Sequence, residues 1–389
     1  MKKKGIIVIA IIILLGIILT TMFVSKNSQK YIMQDGMMLA LTLDGESITS
    51  FPERGEYEVY VDCGETATGK WLAEEWKLAI EDITGNVKCN VEFYRYPLLL
   101  SHQIWIDIDE TCYQDSALDD LSSISDCSKY TNGLRYSGKT PNNWIWFNGE
   151  KWRIIGLIPT KTASRTENLV KIIRSEMIEM LEYDASSTPT VDWGSNTLYS
   201  LLNTHYYATN KNEMNGQNHV GCFSSYSSQQ KQICDYSEIG IMSDSYYGRM
   251  VENVYWNTGG LSSNTITPNT AYTEEITSQT VSGYVGLTTA SDCGYASDSS
   301  FHDTTMSSNE SAVATNWLHN GRPLVTLNQL PSFTFGSKIY TNLFSFSYNG
   351  GTKTTTPISF PVRPVVYLDS SVYIVSGDGT EGNPYQIGK

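Results

Sequence analysis

Histidines and cysteines are the side chains here that could bind a metal or act as nucleophiles, and the sequence has 5 His and 7 Cys. Neither an H-E-x-x-H pattern nor a C-x-x-C pair occurs. His219, Cys222, Cys234 and Cys293 could be drawn together as a zinc site. Outside the cell, however, Cys222 and Cys234 suit a disulfide better. We therefore predict no metal site and no catalytic residue.

The cysteines divide into candidate disulfide pairs and one odd residue. Cys63 and Cys89 each fall on the apolar face of an alternating segment, as a buried disulfide between strands requires. The other candidate pairs are Cys112 with Cys127 and Cys222 with Cys234. Cys293 remains, with no second cysteine beside it and no obvious neighbour to activate its thiol. We interpret it as a structural thiol or the partner of an intermolecular disulfide, not as the cysteine of an oxidase.

Carboxylates could serve glycoside hydrolysis, because acids that are distant in sequence can meet in space. Glu274 and Glu275 are adjacent in the polar segment TAYTEEITS, where we expect both to be solvated. Asp292, which precedes Cys293, suits the cap of a helix. No pair of acids stands out, so a hydrolase or oxidase acting on the cell envelope is kept as the alternative function.

An acidic segment, DIDETCYQDSALDDLSSISDC, runs from Asp107 to Cys127. Several hard oxygen ligands on a tight turn could bind calcium. The D-x-D-x-D-G spacing of an EF-hand is absent, which favours a solvated connector tied by a disulfide over residues 105–130. No cofactor is predicted, and calcium stays open as the alternative.

Aromatic residues in a Ser- and Gly-rich region, SDSYYGRMVENVYWNTGG, are the best remaining signal of a binding site. Aromatic rings beside Ser, Asn and Asp can stack on a sugar while its hydroxyls are hydrogen-bonded. The candidate ligand-binding residues are Tyr246, Tyr247, Tyr255 and Trp256. The alternative for each residue is a place in the core or a role in anchoring a loop.

The segment NNWIWFNGEKWRIIGL, Asn142–Leu157, predicts a β-hairpin. Asn148-Gly149 tolerates the positive φ angles of a type I′ turn, and β-formers flank it on both sides. Trp144 and Trp146 would share one face of the first strand. We expect the hairpin to form the core of a β-rich domain, and an aromatic platform for a sugar ring is the sharper alternative.

Composition and charge limit the partners. The chain has 389 residues, 17% of them charged, with 25 Tyr and a formal net charge of −14. Low charge with many Tyr, Ser, Thr and Asn is typical of an extracellular β-rich protein. No basic stripe occurs, so nucleic-acid binding is not expected.

The N-terminal segment predicts a membrane anchor over residues 1–30. Lys2, Lys3 and Lys4 precede the uncharged run Gly5–Val24, which is long enough to cross a bilayer as one helix. The lysines favour a cytoplasmic N-terminus, and no small-x-small cleavage site follows. We predict an uncleaved signal anchor in the cell membrane, a single-pass topology and an extracellular bulk.

Residues 31–104 predict a small, disulfide-bonded β-sandwich. The segments YEVYVDC and VKCNVEF alternate apolar and polar residues up to and around Cys63 and Cys89. Trp76, Leu78 and Ile80 suggest a further strand that turns into the Cys89 strand, although KWLAEEWKLAI is also compatible with a helix.

Residues 131–389 predict a large α+β surface domain, so the whole fold is expected to be mainly β. LVKIIRS and VRPVVYL read as strands, and Arg363 in the second suits a buried ion pair. Ser195 can cap a helix with an apolar stripe made of Leu198, Leu201 and Leu202. YVGLTTASDCGYA reads as a short strand that leads into a turn or helix.

Several motifs occur in a fixed order: WIWFNGEKWRIIGL, LVKIIRSEMI, DWGSNTLYSLLN, GYVGLTTASDCGYA, NWLHNG, VRPVVYL and SGDGTEGNPYQI. Together they resemble a family of uncharacterised, membrane-anchored bacterial surface proteins whose C-terminal domain has no known function. More distantly, the interrupted strands and long loops resemble the C-type-lectin-like fold, which includes the formylglycine-generating enzyme. The second resemblance concerns architecture alone, and a fold does not assign a function.

The leading functional hypothesis is binding: adhesion to, or recognition of, a glycan or protein outside the cell. A rigid β core would present long polar and aromatic loops to the ligand. The alternatives are an envelope-acting hydrolase or oxidase and a purely structural surface protein.

Overall fold

The computed structural model shows a mainly β protein that divides into two compact units, Met1–Pro97 and Leu98–Lys389. The residues that the structure describes are 31–34, 37–43, 45–54, 57–95, 97–116, 130–184, 190–215, 222–223, 234–277, 280–335, 338–355 and 359–389. The predicted anchor, Gly5–Val24, lies outside these residues. Among the described helices, none is long and apolar enough to cross a membrane.

The first unit is built from strands and one short 3₁₀-helix, Gly64–Thr66. Its strands are β1 (Tyr31–Gln34), β2 (Met37–Leu43), β3 (Glu46–Ile48), β4 (Tyr57–Asp62), β5 (Thr68–Leu72), β6 (Lys77–Glu81) and β7 (Lys88–Arg95). One sheet has the order β1-β2-β7-β4 with β3 on β2, and β5 pairs with β6. Strands β2 and β7 are parallel, so this sheet is mixed.

The Cys63–Cys89 disulfide that the alternating segments predicted is confirmed. Cys89, Val91 and Phe93 are fully buried on the inner face of β7. The strand prediction for Leu78 and Ile80 is also confirmed, because both lie in β6. The next strand along the chain is β7, which carries Cys89, as predicted. Strand β6 pairs with β5, and Trp76 lies in the turn between β5 and β6 with a φ of 51°.

The second unit is organised around a large sheet. Its strands are β8 (Leu134–Arg135), β9 (Trp144–Phe147), β10 (Glu150–Thr162), β11 (Thr166–Arg174), β12 (Met180–Glu182), β13 (Tyr207–Ala208), β14 (Cys222–Phe223), β15 (Ile241–Met242), β16 (Val254–Asn257), β17 (Thr280–Gly283), β18 (Val285–Gly286), β19 (Leu324–Phe335), β20 (Lys338–Ser347), β21 (Gly350–Thr355), β22 (Ser359–Pro361), β23 (Val365–Leu368), β24 (Tyr373–Ser376) and β25 (Gln386–Gly388). The main order is β17-β16-β10-β11-β23-β18, and β8 and β9 also pair with β10. Smaller sheets are β14-β12-β22, β13-β15, β19-β20-β21 and β24-β25.

The predicted hairpin is confirmed as β9 and β10. Asn148 and Gly149 have φ angles of 53° and 81°, as a type I′ turn requires. Phe147 pairs with Glu150, and Trp144 pairs with Arg153 across the two strands. Ile145, Phe147 and Trp152 are fully buried, so this face of the hairpin belongs to the core. Trp144 and Trp146 lie on the opposite face and are half-buried.

Short helices connect the strands of the second unit. They are the α-helices Leu100–Ser116, Thr197–Leu201, Lys211–Met214, Pro268–Glu275, Ala290–Tyr295 and Glu310–Ala314, the π-helix Leu202–Tyr206, and the 3₁₀-helices Gly248–Met250 and Ser299–Phe301. The predicted apolar stripe of Leu198, Leu201 and Leu202 is buried. Asn196, not Ser195, caps that helix by accepting a hydrogen bond from the Tyr199 backbone N–H.

The start of the predicted acidic connector is helical. Residues 105–116 belong to the Leu100–Ser116 helix, in which Leu100, Ile104 and Trp105 are buried in the core of the second unit. An acidic composition concealed the apolar positions that hold the helix in place. The predicted Cys112–Cys127 pair lies outside the described side chains. The sulfur of Cys234 is in a disulfide. Cys222 is its expected partner, but the side chain of Cys222 is also outside the described side chains.

Candidate functional site

The structure separates the predicted aromatic residues. Tyr246 is 49% exposed, and Tyr247 is half-buried with its ring 5.2 Å from that of Phe147. Tyr255 is half-buried, and its ring lies 5.1 Å from the Lys161 ammonium. Trp256 is only 2% exposed, and its indole N–H donates to the Gly283 carbonyl at 2.8 Å. Trp256 is therefore a core residue and cannot contact a ligand at the surface.

The burial of Trp256 has a local cause. Along β16, Val254 and Trp256 point inward while Tyr255 points outward. The adjacent aromatic residues Tyr255 and Trp256 therefore differ in burial. A Cβ added to Gly286 would meet the Trp256 ring at 2.7 Å. The missing side chain at Gly286 thus makes room for the indole.

The outer face of the β9–β10 hairpin carries an arginine beside two indole rings. The guanidinium carbon of Arg153 lies 4.2 Å from the Trp144 ring centroid and 4.6 Å from that of Trp317. Its Nε donates to Asn143 Oδ1 at 2.6 Å, and Asn143 is itself fixed by donating to the Ile154 carbonyl at 2.7 Å. We call Arg153, Trp144, Trp317 and Asn143 the arginine stack.

The arginine stack depends on contacts distant in sequence. Trp144 reaches Arg153 through the register of the hairpin. Trp317 comes from the NWLHNG segment, and its indole N–H donates to the Tyr136 carbonyl at 2.7 Å. Local reasoning about the hairpin missed this second ring, and the NWLHNG motif was the signal that could have led to it.

A cleft of about 350 Å³ lies beside Tyr136 and is lined by Asp107, Ile108, Arg135, Tyr136, Ser137, Pro141 and Asn142. The Asp107 carboxylate is exposed, and its Oδ2 accepts hydrogen bonds from the hydroxyls of Tyr136, at 2.5 Å, and Tyr385, at 3.0 Å. Burial, and then Asp107, raises the pKa of Tyr136 and that of Tyr385. Both phenols thus remain donors at neutral pH. We call this feature the Asp107 cleft.

A second group of charged side chains is closed to solvent. Lys171 Nζ lies 2.5 Å from Asp292 Oδ2, and their side chains are 2% and 0% exposed. Arg135 Nε lies 3.3 Å from Asp292 Oδ1, and the Thr289 backbone N–H donates to Oδ2 at 3.0 Å. Asp292 also completes a capping box with Thr289 at the start of the Ala290–Tyr295 helix, as its predicted capping role required. We call Lys171, Asp292 and Arg135 the buried ion cluster.

Opposite charges outweigh burial in this cluster. Burial alone favours the neutral forms, but Asp292 raises the pKa of Lys171, while Lys171 and Arg135 lower the pKa of Asp292. Nearby Glu275 is buried, and its two carboxylate oxygens accept hydrogen bonds from the Ser291 backbone N–H and hydroxyl. The predicted solvation of Glu275 is thus wrong. Because the side chains of Lys171, Asp292 and Arg135 are nearly closed to solvent, removing one of them would leave a buried charge without its partner.

Cys293 is buried, and it is the free cysteine among the described residues. Burial, and then the Asp292 carboxylate, raises the pKa of its thiol. A nucleophilic cysteine needs a lowered thiol pKa and access to its substrate. The environment of Cys293 supplies neither. Among the residues that the structure describes, no group of three or more His, Cys, Asp or Glu could hold a metal ion.

Arg363 does not form the predicted ion pair with any residue that the structure describes. It is buried and donates from Nε to the Arg174 carbonyl and from Nη1 to the Leu318 carbonyl, each at 2.8 Å. The carbonyl groups of Arg174 and Leu318 thus take the place of the expected carboxylate. Through them, Arg363 connects the start of β23 to two chain segments that are distant in sequence.

The sequence matches no family model and no curated protein, and the structure matches no solved structure. The resemblance to bacterial surface proteins therefore stays a prediction.

Proposed function

We propose that the chain is a membrane-anchored extracellular binding protein that recognises a glycan at the Asp107 cleft. The observation that carries this proposal is an exposed carboxylate in an open cleft, which two tyrosine hydroxyls hold at Oδ2 and the Gln103 side-chain amide holds at Oδ1. A carboxylate fixed in this way can accept hydrogen bonds from neighbouring sugar hydroxyls. The volume lies at the lower end of the roughly 300–1,000 Å³ that small-molecule sites occupy.

The surroundings of the cleft suit a ligand rich in hydroxyl groups. Asn142 is exposed and adds amide donors and acceptors, and Ser137 adds a hydroxyl. Lining residues come from the Leu100–Ser116 helix and from the segment before the hairpin. The extracellular location rests on the sequence: the lysines before Gly5–Val24 and the disulfide-permissive composition. The C-type-lectin-like architecture is part of the same proposal.

The experiment is a glycan array probed with the full chain in detergent, with calcium and with EDTA. Wild type is compared with Asp107→Asn, and Asp303→Asn is the matched control because Asp303 is an exposed aspartate outside the cleft. We expect saturable binding to a neutral glycan, at least about a tenfold loss in Asp107→Asn and no loss in the control. Equal binding by both variants, or binding to no glycan, would remove the cleft as a glycan site. Loss in EDTA alone would favour calcium.

A further inference from the structure

Arg153 has hydrogen-bonding groups that the protein does not use. Its Nε is bonded to Asn143, whereas no described residue is a hydrogen-bond partner of Nη1 or Nη2. Arg153 is half-buried, so the residue is neither closed to solvent nor freely solvated. Arg153 and Arg363 form no ion pair within the described part of the chain.

The positive charge of Arg153 also lacks compensation. Burial, followed by repulsion from Arg363, lowers the pKa of Arg153 to about 10, and Glu381 opposes that change only in part. The guanidinium is therefore still a cation at neutral pH, in a position where its charge is disfavoured. An anion at Nη1 and Nη2 would relieve this repulsion and satisfy the unused donors together.

Two indole rings lie close to the guanidinium, whose central carbon is 4.2 Å from the ring centroid of Trp144 and 4.6 Å from that of Trp317. A ligand therefore has to reach Nη1 and Nη2 beside these rings. A carboxylate is planar and can accept two parallel hydrogen bonds from an arginine.

We propose that the arginine stack is a binding site for the carboxylate group of a ligand, which Arg153 holds through Nη1 and Nη2. The rings and Asn143 hold the guanidinium in place before the ligand arrives, so little side-chain entropy is lost on binding. The site uses the Arg153 guanidinium and not the Asp107 carboxylate, and it does not depend on the glycan proposal. A carboxylate could reach it as a simple acid or as part of an acidic sugar.

Isothermal titration calorimetry on the full chain in detergent tests this site. The probes are acetate, D-glucuronate, D-glucose and inorganic sulfate. The variants are Arg153→Gln, which removes the charge, and Arg153→Lys, which keeps the charge without the planar fork. Arg249→Gln is the matched control, because Arg249 is exposed and belongs to no part of the stack. Circular dichroism of each variant verifies that it is folded.

We expect wild type to bind at least one carboxylate, Arg153→Gln to lose about tenfold or more in affinity, Arg153→Lys to fall in between, and the control to match wild type. Preference for glucuronate over acetate would assign the carboxylate to an acidic sugar, and equal affinity would assign it to simple acids. Absence of carboxylate binding, unchanged affinity in folded Arg153→Gln, or tighter binding of sulfate would overturn the proposal. Because the Asp107 cleft is tested on neutral glycans, either proposal can fail alone.

Discussion

Two cations in the second unit lie beside pairs of aromatic rings, yet their environments differ. Lys171 Nζ is 5.6 Å from the Trp256 ring centroid and 5.4 Å from that of Tyr367, and it has Asp292 as a partner. Arg153 has Trp144 and Trp317 at 4.2 and 4.6 Å, and none of the described carboxylates is paired with it. The two residues occupy adjacent, paired strands, β10 and β11.

The buried ion cluster and the arginine stack differ in where the cation finds its counter-charge: within the protein in the first, and in our proposal on a ligand in the second. A cation that is closed to solvent and already paired contributes to the fold, because removing its partner leaves a buried charge. A cation that is near the surface and lacks a partner can be completed by a ligand. Stacking on tryptophan therefore does not by itself distinguish a structural cation from a binding residue.

The largest expected effect is on stability, from Asp292→Asn. This change leaves Lys171 buried without its counter-charge, which costs about 3–5 kcal/mol of unfolding free energy. Urea denaturation followed by tryptophan fluorescence measures the loss, with Asp303→Asn as the control. A loss below about 1 kcal/mol would show that the cluster does not stabilise the fold. The contrast between a structural cation, Lys171, and a ligand-binding cation, Arg153, would then fail.

The second prediction concerns the pH dependence of that loss. Although burial favours the neutral acid, Lys171 and Arg135 lower the pKa of Asp292 below its ordinary value of 3.8. The folded state therefore binds fewer protons than the unfolded state, so the contribution of Asp292 is present above pH 3.8 and is lost as pH falls through the folded pKa. The stability difference between wild type and Asp292→Asn should narrow in that range. Urea denaturation at descending pH values tests this, and a constant difference would contradict it.

A smaller contrast is expected between the tryptophans of the two regions. Trp256→Phe leaves the Gly283 carbonyl without its donor and should cost about 1–3 kcal/mol of stability without changing carboxylate affinity. Trp144→Phe should cost less than about 1 kcal/mol and weaken carboxylate binding severalfold, because a smaller ring covers Arg153 less well. Denaturation and calorimetry on the same preparations measure both quantities. If Trp256→Phe instead weakened carboxylate binding and Trp144→Phe left it unchanged, then Trp256, as first predicted, would be the residue that contacts a ligand.

Short-range patterns predicted a good part of the fold. Asn148-Gly149 predicted a hairpin because the positive φ angles of its turn are a local property. The disulfide between Cys63 and Cys89 was predictable because each cysteine shares an apolar strand face. The strands around Lys171 and Val365 were predicted as well, since β-branched runs of that length form buried strands.

The sites were harder to predict, because they are made by contacts distant in sequence. A Ser- and Gly-rich context suggested that Trp256 was exposed, but the face on which a strand residue lies depends on what covers the sheet. Trp317 meets Arg153 only in the folded chain. Asp107 was assigned to a solvated connector because its neighbours are acidic, whereas in the folded chain its carboxylate accepts hydrogen bonds from Tyr136 and Tyr385.

Thermal unfolding of the full chain with and without D-glucuronate, for wild type and Arg153→Gln, tests most directly whether a ligand binds Arg153. A ligand that binds only the folded state raises the unfolding midpoint in proportion to its occupancy. We predict that glucuronate raises the unfolding midpoint of wild type and leaves that of Arg153→Gln unchanged. An equal rise in both proteins, or no rise in wild type, would contradict the claim that Arg153 is completed by a ligand.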